Sequence, residues 1–366
     1  MNEISAIVLR DKITSDTPPP AAATTGGFFP FIAAVVPTLN EDGYIEACLM
    51  SLLGQWPQES LEVLVMDGGS TDGTQDRVAA LALRYPNLRL LRNPRRLQSA
   101  AMNLAARLAS PKATILLRAD AHAVYPAGFV RHCVNDLLRT GAVSVVVPMR
   151  TQAEQGHVVQ RAIAVAQSSR LGNGGSAHRI GGRSSFVEHG HHAAFDRAFF
   201  LSIGGYDESF THNEDAEFDH RVGLAGGRVW MCAQAPVSYF PRKTLEALAR
   251  QYFRHGKGRA RTLVKHQLRP RPRQVVPVIA TCALLGGMVL APVEPLMGLA
   301  ALAYPAACLA WGVARATVSR DAGLLAAGPA LLAMHIFWAC GFLKVVSRQL
   351  LPKAFRSMIP AASANV

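Results

Sequence analysis

Three acidic clusters occur in fixed order within the first two thirds of this 366-residue chain. They are Asp67 in VLVMDGGSTDGT, Asp120 with His122 in LLRADAH, and Glu214 with Asp215 in THNEDAEFDHR. Asp67 and Asp120 follow apolar, β-prone runs, Leu61 to Met66 and Thr114 to Leu117, so each carboxylate is expected where a buried strand ends. In an open parallel sheet that edge is where ligands bind. The order predicts a nucleotide contact, a metal contact and a catalytic base.

Each cluster also has a plainer reading. Gly68, Gly69 and Gly73 after Asp67 suit a tight βα turn, and they form neither a GxGxxG fingerprint nor a P-loop. An acid at a strand end can instead bond a base or ribose. If strand alternation continues past Leu117, Asp120 and His122 point to the same side and can reach one cation and the diphosphate it bridges. A carboxylate with an imidazole suits Mn²⁺ at least as well as Mg²⁺. An isolated DAH is more often a cap followed by a surface histidine. In the third cluster, Asp215 and Asp219 share a face of a helix expected from Glu214. A carboxylate at such an N-terminus stays ionised, as a general base must.

The elements that position these groups read as strands alternating with helices. Phe31 to Pro37 is a strand, Glu41 to Gln55 a helix, Leu61 to Asp67 a strand, and Thr71 to Pro86 a helix with Asp72 as its cap. Leu88 to Asn93 and Ala113 to Asp120 are further strands, with a helix over Leu97 to Ser110 between them. This pattern predicts an α/β fold, a mostly parallel sheet with right-handed crossovers. The glycine-rich run Leu171 to Arg183 is either a surface loop or a flap that orders over bound donor.

Composition adds a membrane. Half of the residues are hydrophobic, and the mean hydropathy of +0.16 is high for a soluble enzyme. The net charge of +13 is concentrated: Pro241 to Arg273 holds eleven Lys and Arg against Glu246, a local excess of +10. This stretch lacks interleaved aromatics and leads into apolar runs at Val275 to Val293, Met297 to Ala314 and Ala322 to Leu343, so an anionic membrane surface is expected and no nucleic acid. Glu294 is expected in a turn between the first two runs. Three crossings would put Lys344, Arg348, Lys353 and Arg356 on the far side, against the positive-inside tendency, so two or three crossings are expected. The six cysteines show no paired spacing, which fits a reduced compartment.

In order, VVPTLNE, VLVMDGGSTDGT, the DAH triplet and GGYDESFTHNEDAEFDHR resemble the inverting GT-A glycosyltransferases of family 2, from about Phe31 to about Lys265. VEHGHHAAFDRAFFLSIGGYDE and NEDAEFDHR further resemble the ExoA-type subgroup of succinoglycan exopolysaccharide synthesis. The resemblance implies a GT-A fold, a Rossmann-like mostly parallel sheet, followed by C-terminal transmembrane helices. It implies a nucleotide-sugar donor, UDP-glucose, a Mn²⁺ or Mg²⁺ cofactor, a polyprenyl-diphosphate-linked saccharide acceptor and partners in exopolysaccharide assembly.

By the same resemblance, Pro37, Asn40 and Glu41 belong to the first nucleotide loop, and Asp67 is the acid near uracil and ribose. Asp120 is the first acid of the DxD motif, bound to donor and metal, His122 holds its metal-binding third position, and Asp215 is the catalytic base. Gly68 stands where a second acid is usual, and His122 where Asp is usual. Arg254 resembles the arginine of QxxRW, with His255 in place of Trp, and is expected at the diphosphate or the acceptor phosphates. His189, His191 and His192 are expected to shape the acceptor site.

The expected layout is a tail over 1–29, a GT-A domain over 30–245, a basic membrane-interface segment over 246–274, membrane helices over 275–345 and a basic tail over 346–366. The catalytic domain is expected on the cytoplasmic side of a bacterial inner membrane. Two alternatives share the sequence pattern: a processive polysaccharide synthase, and a catalytically silent membrane scaffold.

Overall fold

A computed structural model describes residues 29–175, 179 and 183–350 of the chain. The expected tails therefore fall largely outside the described residues, as does part of the glycine-rich run. In chain order the elements are β1 (Ile32–Thr38), α1 (Ile45–Leu53), β2 (Leu61–Asp67), α2 (Thr74–Ala82), β3 (Leu88–Arg92), α3 (Gln98–Leu108), β4 (Ile115–Arg118) and α4 (Phe129–Thr140). There follow β5 (Ser144–Val147), β6 (Met149–Thr151), α5 (Val158–Ser168), α6 (Arg170–Asn173), β7 (Ser185–Val187), β8 (His191–Asp196), α7 (Arg197–Ser202) and α8 (Glu214–Leu224). The chain continues through β9 (Val229–Met231), β10 (Val237–Tyr239), α9 (Leu245–Lys265), α10 (Pro272–Leu290), α11 (Pro295–Ala301), α12 (Ala303–Ser319) and α13 (Ala327–Leu350). They form two compact units, the first running to Gln152 and resuming over Ser176–Tyr239, the second taking Ala153–Gly175 and the chain from Phe240.

The first unit is an eight-stranded sheet in the order β3-β2-β1-β4-β8-β5-β9-β7, beside a short β10-β6 pair. β1 is parallel to both β2 and β4, and β2 to β3, as the alternation of strands and helices predicts. Every residue of β2 is buried, and so is nearly all of β1, because helices cover both sheet faces. Two strands run against the rest: β7 is antiparallel to β9 at the sheet's edge, and β8 is antiparallel to both β4 and β5 inside it. An antiparallel strand starts where its parallel neighbours end, so its first residue, His191, is brought to the carboxyl edge of the sheet.

Two devices fix the α8 side of the sheet. Phe195, Phe200, Tyr206 and Phe218 form an aromatic cluster with centroids 5.1–6.1 Å apart, each such pair adding about 0.5–1.5 kcal/mol beyond burial. The Arg197 guanidinium then donates to the carbonyls of Ala106, Ala109, Ser110 and Ala113, satisfying acceptors that the C-terminus of α3 would otherwise leave open. Gly205 has a left-handed φ of +65°, and a Cβ there would collide with Asn103 Oδ1, which accepts the Tyr206 N–H at 2.8 Å. Only glycine meets both demands.

The second unit is helical. Ile163 and Ala166 of α5 pack with Leu248 of α9 and with Ala330 and Met334 of α13. Pro272–Leu290, Pro295–Ser319 and Ala322–Gln349 are long and apolar enough to cross a membrane, with mean hydropathies of 1.6, 1.7 and 1.7. Glu294 accepts the Leu296 N–H at 3.3 Å in the turn expected between the first two. Val278 near the start of α10 packs with Leu263 of α9 and with Phe342, Val345 and Val346 late in α13. The start of α10 and the end of α13 therefore lie at one end of this unit.

Candidate active site

The sheet's carboxyl edge gathers most of the residues singled out by sequence. The loop after β1 and the loop after β2 hold each other. Asn40, in a left-handed backbone with φ 56°, donates its N–H to Ser70 Oγ at 2.9 Å and accepts the Thr71 N–H at 2.8 Å. The Glu41 N–H reaches Thr74 Oγ1 at 2.9 Å. Asp72 accepts the Thr74 N–H at 3.0 Å, but the N-cap position of α2 is Gly73 rather than the expected Asp72. Pro37, which has no N–H, sits beyond the four residues of β1 that pair with β4. Asp67 is 4% exposed, and its carboxylate accepts from Gly69 N–H, Ser70 N–H and Oγ, and Gln75 Nε2 at 2.5–3.3 Å. Its visible work is to shape the turn that cradles Asn40.

Asp120 lies two residues beyond the end of β4, so strand alternation does not extend to the Asp120–His122 pair as the sequence argument assumed. Both occupy the loop after the strand. Gln98 Nε2 donates to Asp120 Oδ1 at 3.0 Å, Arg118 Nη2 stands 3.5 Å from the same oxygen, and His191 Nε2 stands 3.5 Å from Oδ2. Burial would raise the Asp120 pKa, but Arg118, His191 and His122 outweigh it and hold the carboxyl down at about 2. His122 Nδ1 meets Glu41 Oε1 at 3.1 Å, which ties this loop to the first.

His191, expected with His189 and His192 to shape the acceptor site, stands beside Asp120. Adjacent strand residues face opposite sides of a sheet, so the two histidines that open β8 part company: His191 turns to Asp120, and His192 turns into the core. Burial lowers the His191 pKa to about 4 despite the carboxylates of Asp120 and Asp215. The ring is neutral at pH 7 and offers a lone pair. Alternation along HHAAFD was the signal that separated them.

α8 delivers the third cluster. Asn213 precedes it with φ 63° and does not cap it through its side chain. Glu214 and Asp215 are half-buried neighbours with opposite shifts. Burial raises both, and the Asp215 charge adds to the rise of Glu214. Asp215 is nevertheless lowered, by His192, Arg118, its bond from the Ala216 N–H at 2.7 Å, and His189. One carboxyl is thus held down beside one pushed up. Asp219 shares a face with Asp215, as its spacing predicted, but is sealed in the core against His192.

Among the described residues no three His, Cys, Asp or Glu side chains close around one point. Asp120 and His191 instead present an oxygen and a ring nitrogen side by side, an open pair of the kind that holds a divalent cation together with substrate phosphates. The residues fit such an ion. Arg254 belongs to the second unit, on α9.

A family model described as glycosyl transferase family 2 matches residues 33–204. The chain is 42% identical over 308 residues to the succinoglycan biosynthesis protein ExoA of Rhizobium meliloti, covering 84% of this chain and 92% of that one. It is 25% identical over 240 residues to a Methanococcus voltae diacetamido-dideoxy-glucuronosyltransferase acting on dolichyl N-acetyl-glucosaminyl phosphate, covering 62% and 72%. Among solved structures, the mannosyltransferase PcManGT of Pyrobaculum calidifontis, in complex with GDP-Man and Mn²⁺, superimposes with a TM-score of 0.57 at 22% identity over 94% of each chain.

Proposed function

Because the chain belongs to family 2 of the glycosyltransferases, in its ExoA type, we propose that it transfers one sugar, with inversion, from UDP-glucose to a lipid-linked saccharide in exopolysaccharide synthesis. The observation that carries this reading is the convergence on His191 of Asp120, from the end of β4, and Asp215, from the start of α8. A donor-side carboxylate and an ionised base share one edge of the sheet.

Asp215 accepts the proton of the acceptor hydroxyl while that oxygen attacks the anomeric carbon and the bond to the nucleoside diphosphate breaks on the opposite face. No covalent intermediate forms, so the configuration inverts. Asp120, paired with either His191 or His122, would hold a Mn²⁺ or Mg²⁺ ion, which when bound stabilises the charge of the departing diphosphate. Pro37, Asn40 and Glu41, locked to the loop after Asp67, would frame the nucleotide, and Arg254 would meet phosphate. The protein is anchored in the membrane with its sugar-transfer unit on the cytoplasmic side. An even number of crossings suits the packing of the end of α13 beside the start of α10.

The test is UDP release in isolated membranes given UDP-glucose, a divalent cation and a lipid-linked saccharide, comparing the native chain with Asp215→Asn. Transfer of one sugar that is lost in the variant supports the reading. No transfer from any nucleotide sugar, with the two chains indistinguishable, rejects it in favour of a silent scaffold.

A further inference from the structure

Arg250, Arg254, Lys257 and Arg261 follow one another along α9 at spacings of four, three and four residues, so they share one helical face. α13 brings Lys344 and Arg348 to the same place. The ammonium groups of Lys257 and Lys344 both stand over the Phe253 ring, 6.0 and 5.5 Å from its centroid. The helices come this close because Gly256 and Gly341 present bare backbone. A Cβ on Gly256 would strike the Trp338 carbonyl oxygen, and one on Gly341 that of Phe253.

Acidic residues are scarce along these stretches of the chain. Glu246 is bonded to Arg250, and beyond it the chain holds no Asp or Glu from 247 to 293, nor from 322 to 366. Burial, then Lys344, Arg261, Arg348 and Arg254, push the Lys257 pKa down. Packing like charges together costs energy that an anion would relieve. Alongside this row runs an open groove of about 530 Å³ lined by Leu245, Ala249, Phe253, Ala333 and Phe337, together with Arg250, Arg254 and the Glu246 that Arg250 holds. An apolar channel edged by clustered cations complements a molecule with one apolar tail and a multiply charged head. A two-chain phospholipid has twice the apolar bulk and fewer headgroup charges.

We propose that the seam between α9 and α13 binds a single-chain lipid diphosphate, its tail in the groove and its phosphates on Lys257, Lys344 and Arg254. The inference rests on the reading above that the acceptor is lipid-linked, and it names where that lipid is held.

The test uses the full chain in phosphatidylcholine nanodiscs, with farnesyl diphosphate as the probe and binding read by native mass spectrometry. Binding should weaken about tenfold or more in the double variant Lys257→Ala with Lys344→Ala, and persist in Lys257→Arg. Removing like charges relieves repulsion, so the double alanine variant should melt no lower than the native chain, which separates lost binding from lost folding. Phe337→Trp, which fills the groove, should weaken farnesyl diphosphate but not inorganic pyrophosphate. Equal affinity for pyrophosphate and farnesyl diphosphate would overturn the proposal, as would displacement of the probe by equimolar phosphatidylglycerol. Probe binding needs no donor, so binding without sugar transfer supports this inference while rejecting the proposed reaction. Normal transfer with an unchanged lipid-acceptor KM in the double alanine variant rejects this inference alone.

Discussion

His192 Nε2 stands 2.8 Å from Asp219 Oδ1, and both side chains are fully enclosed. The other ring nitrogen meets Tyr206 Oη at 2.5 Å, and the second Asp219 oxygen accepts the Gly190 N–H at 3.3 Å. Asp219 is one helical turn after Asp215, so this network pins the first turn of α8 to β8. His192 is also the chief neighbour that lowers the Asp215 pKa against its burial.

Removing one partner of this pair should therefore be costly. His192→Ala leaves the Asp219 carboxylate buried without its imidazole, and a loss of about 3–5 kcal/mol is expected from chemical denaturation. Asp219→Asn in the same chain should recover part of that loss, since a neutral amide needs less compensation. Additive costs in the double variant would show that the two side chains are not coupled.

His191 supplies a pH prediction. Its pKa is about 4 in the fold against 6.5 for an ordinary imidazole. Between those values the unfolded chain binds the extra proton, so this group's contribution to stability is full above about pH 6.5 and declines as the pH falls toward 4. In metal-free protein, nitrogen-detected NMR should find the ring neutral at pH 5.5. A midpoint near 6.5 would contradict the burial and the approach to Arg118 that set the shift.

Much of this site was legible in the sequence, and the parts that were not have a physical cause. Asp67, Asp120 and Asp215 each stand beside a local signal, an apolar run or a helix start, and the structure puts each at an element boundary. The direction of β8 left no local trace, because antiparallel insertion into a parallel sheet depends on distant partners, so the approach of His191 to Asp120 could not be read from the sequence. The saturation of Asp67 by its own turn was hidden likewise, since Gly69, Ser70 and Gln75 look like ordinary loop and helix residues. Ala153–Gly175 groups with the second unit through side chains, such as Gln160 donating to the Pro241 carbonyl at 2.8 Å, that lie 81 residues apart.

Glu214 and Asp215 should separate by role. Asp215→Asn is expected to lower kcat by about 10²–10⁴, with no loss of thermal stability, because it relieves a half-buried pair of like charges. Glu214→Gln relieves the same repulsion without removing the base, so kcat should stay within about tenfold of native. Steady-state kinetics beside thermal melts would decide it. A larger kcat loss for Glu214→Gln than for Asp215→Asn would reassign the base.

The α9–α13 seam should tolerate no added methyl groups. At Gly256 a Cβ meets the Trp338 carbonyl oxygen and at Gly341 that of Phe253, and backbone atoms inside two packed helices cannot swing away as a flexible side chain would. Gly256→Ala and Gly341→Ala should each cost about 1–3 kcal/mol through overpacking. Gly286, on α10, has open space where its Cβ would go, and the better helix propensity of alanine should make Gly286→Ala neutral or stabilising by up to about 1 kcal/mol. Thermal unfolding of the three variants in one detergent compares them directly. Equal midpoints would mean that α9 and α13 are not held in backbone contact, and with that contact would go the alignment of Lys257 and Lys344 over Phe253.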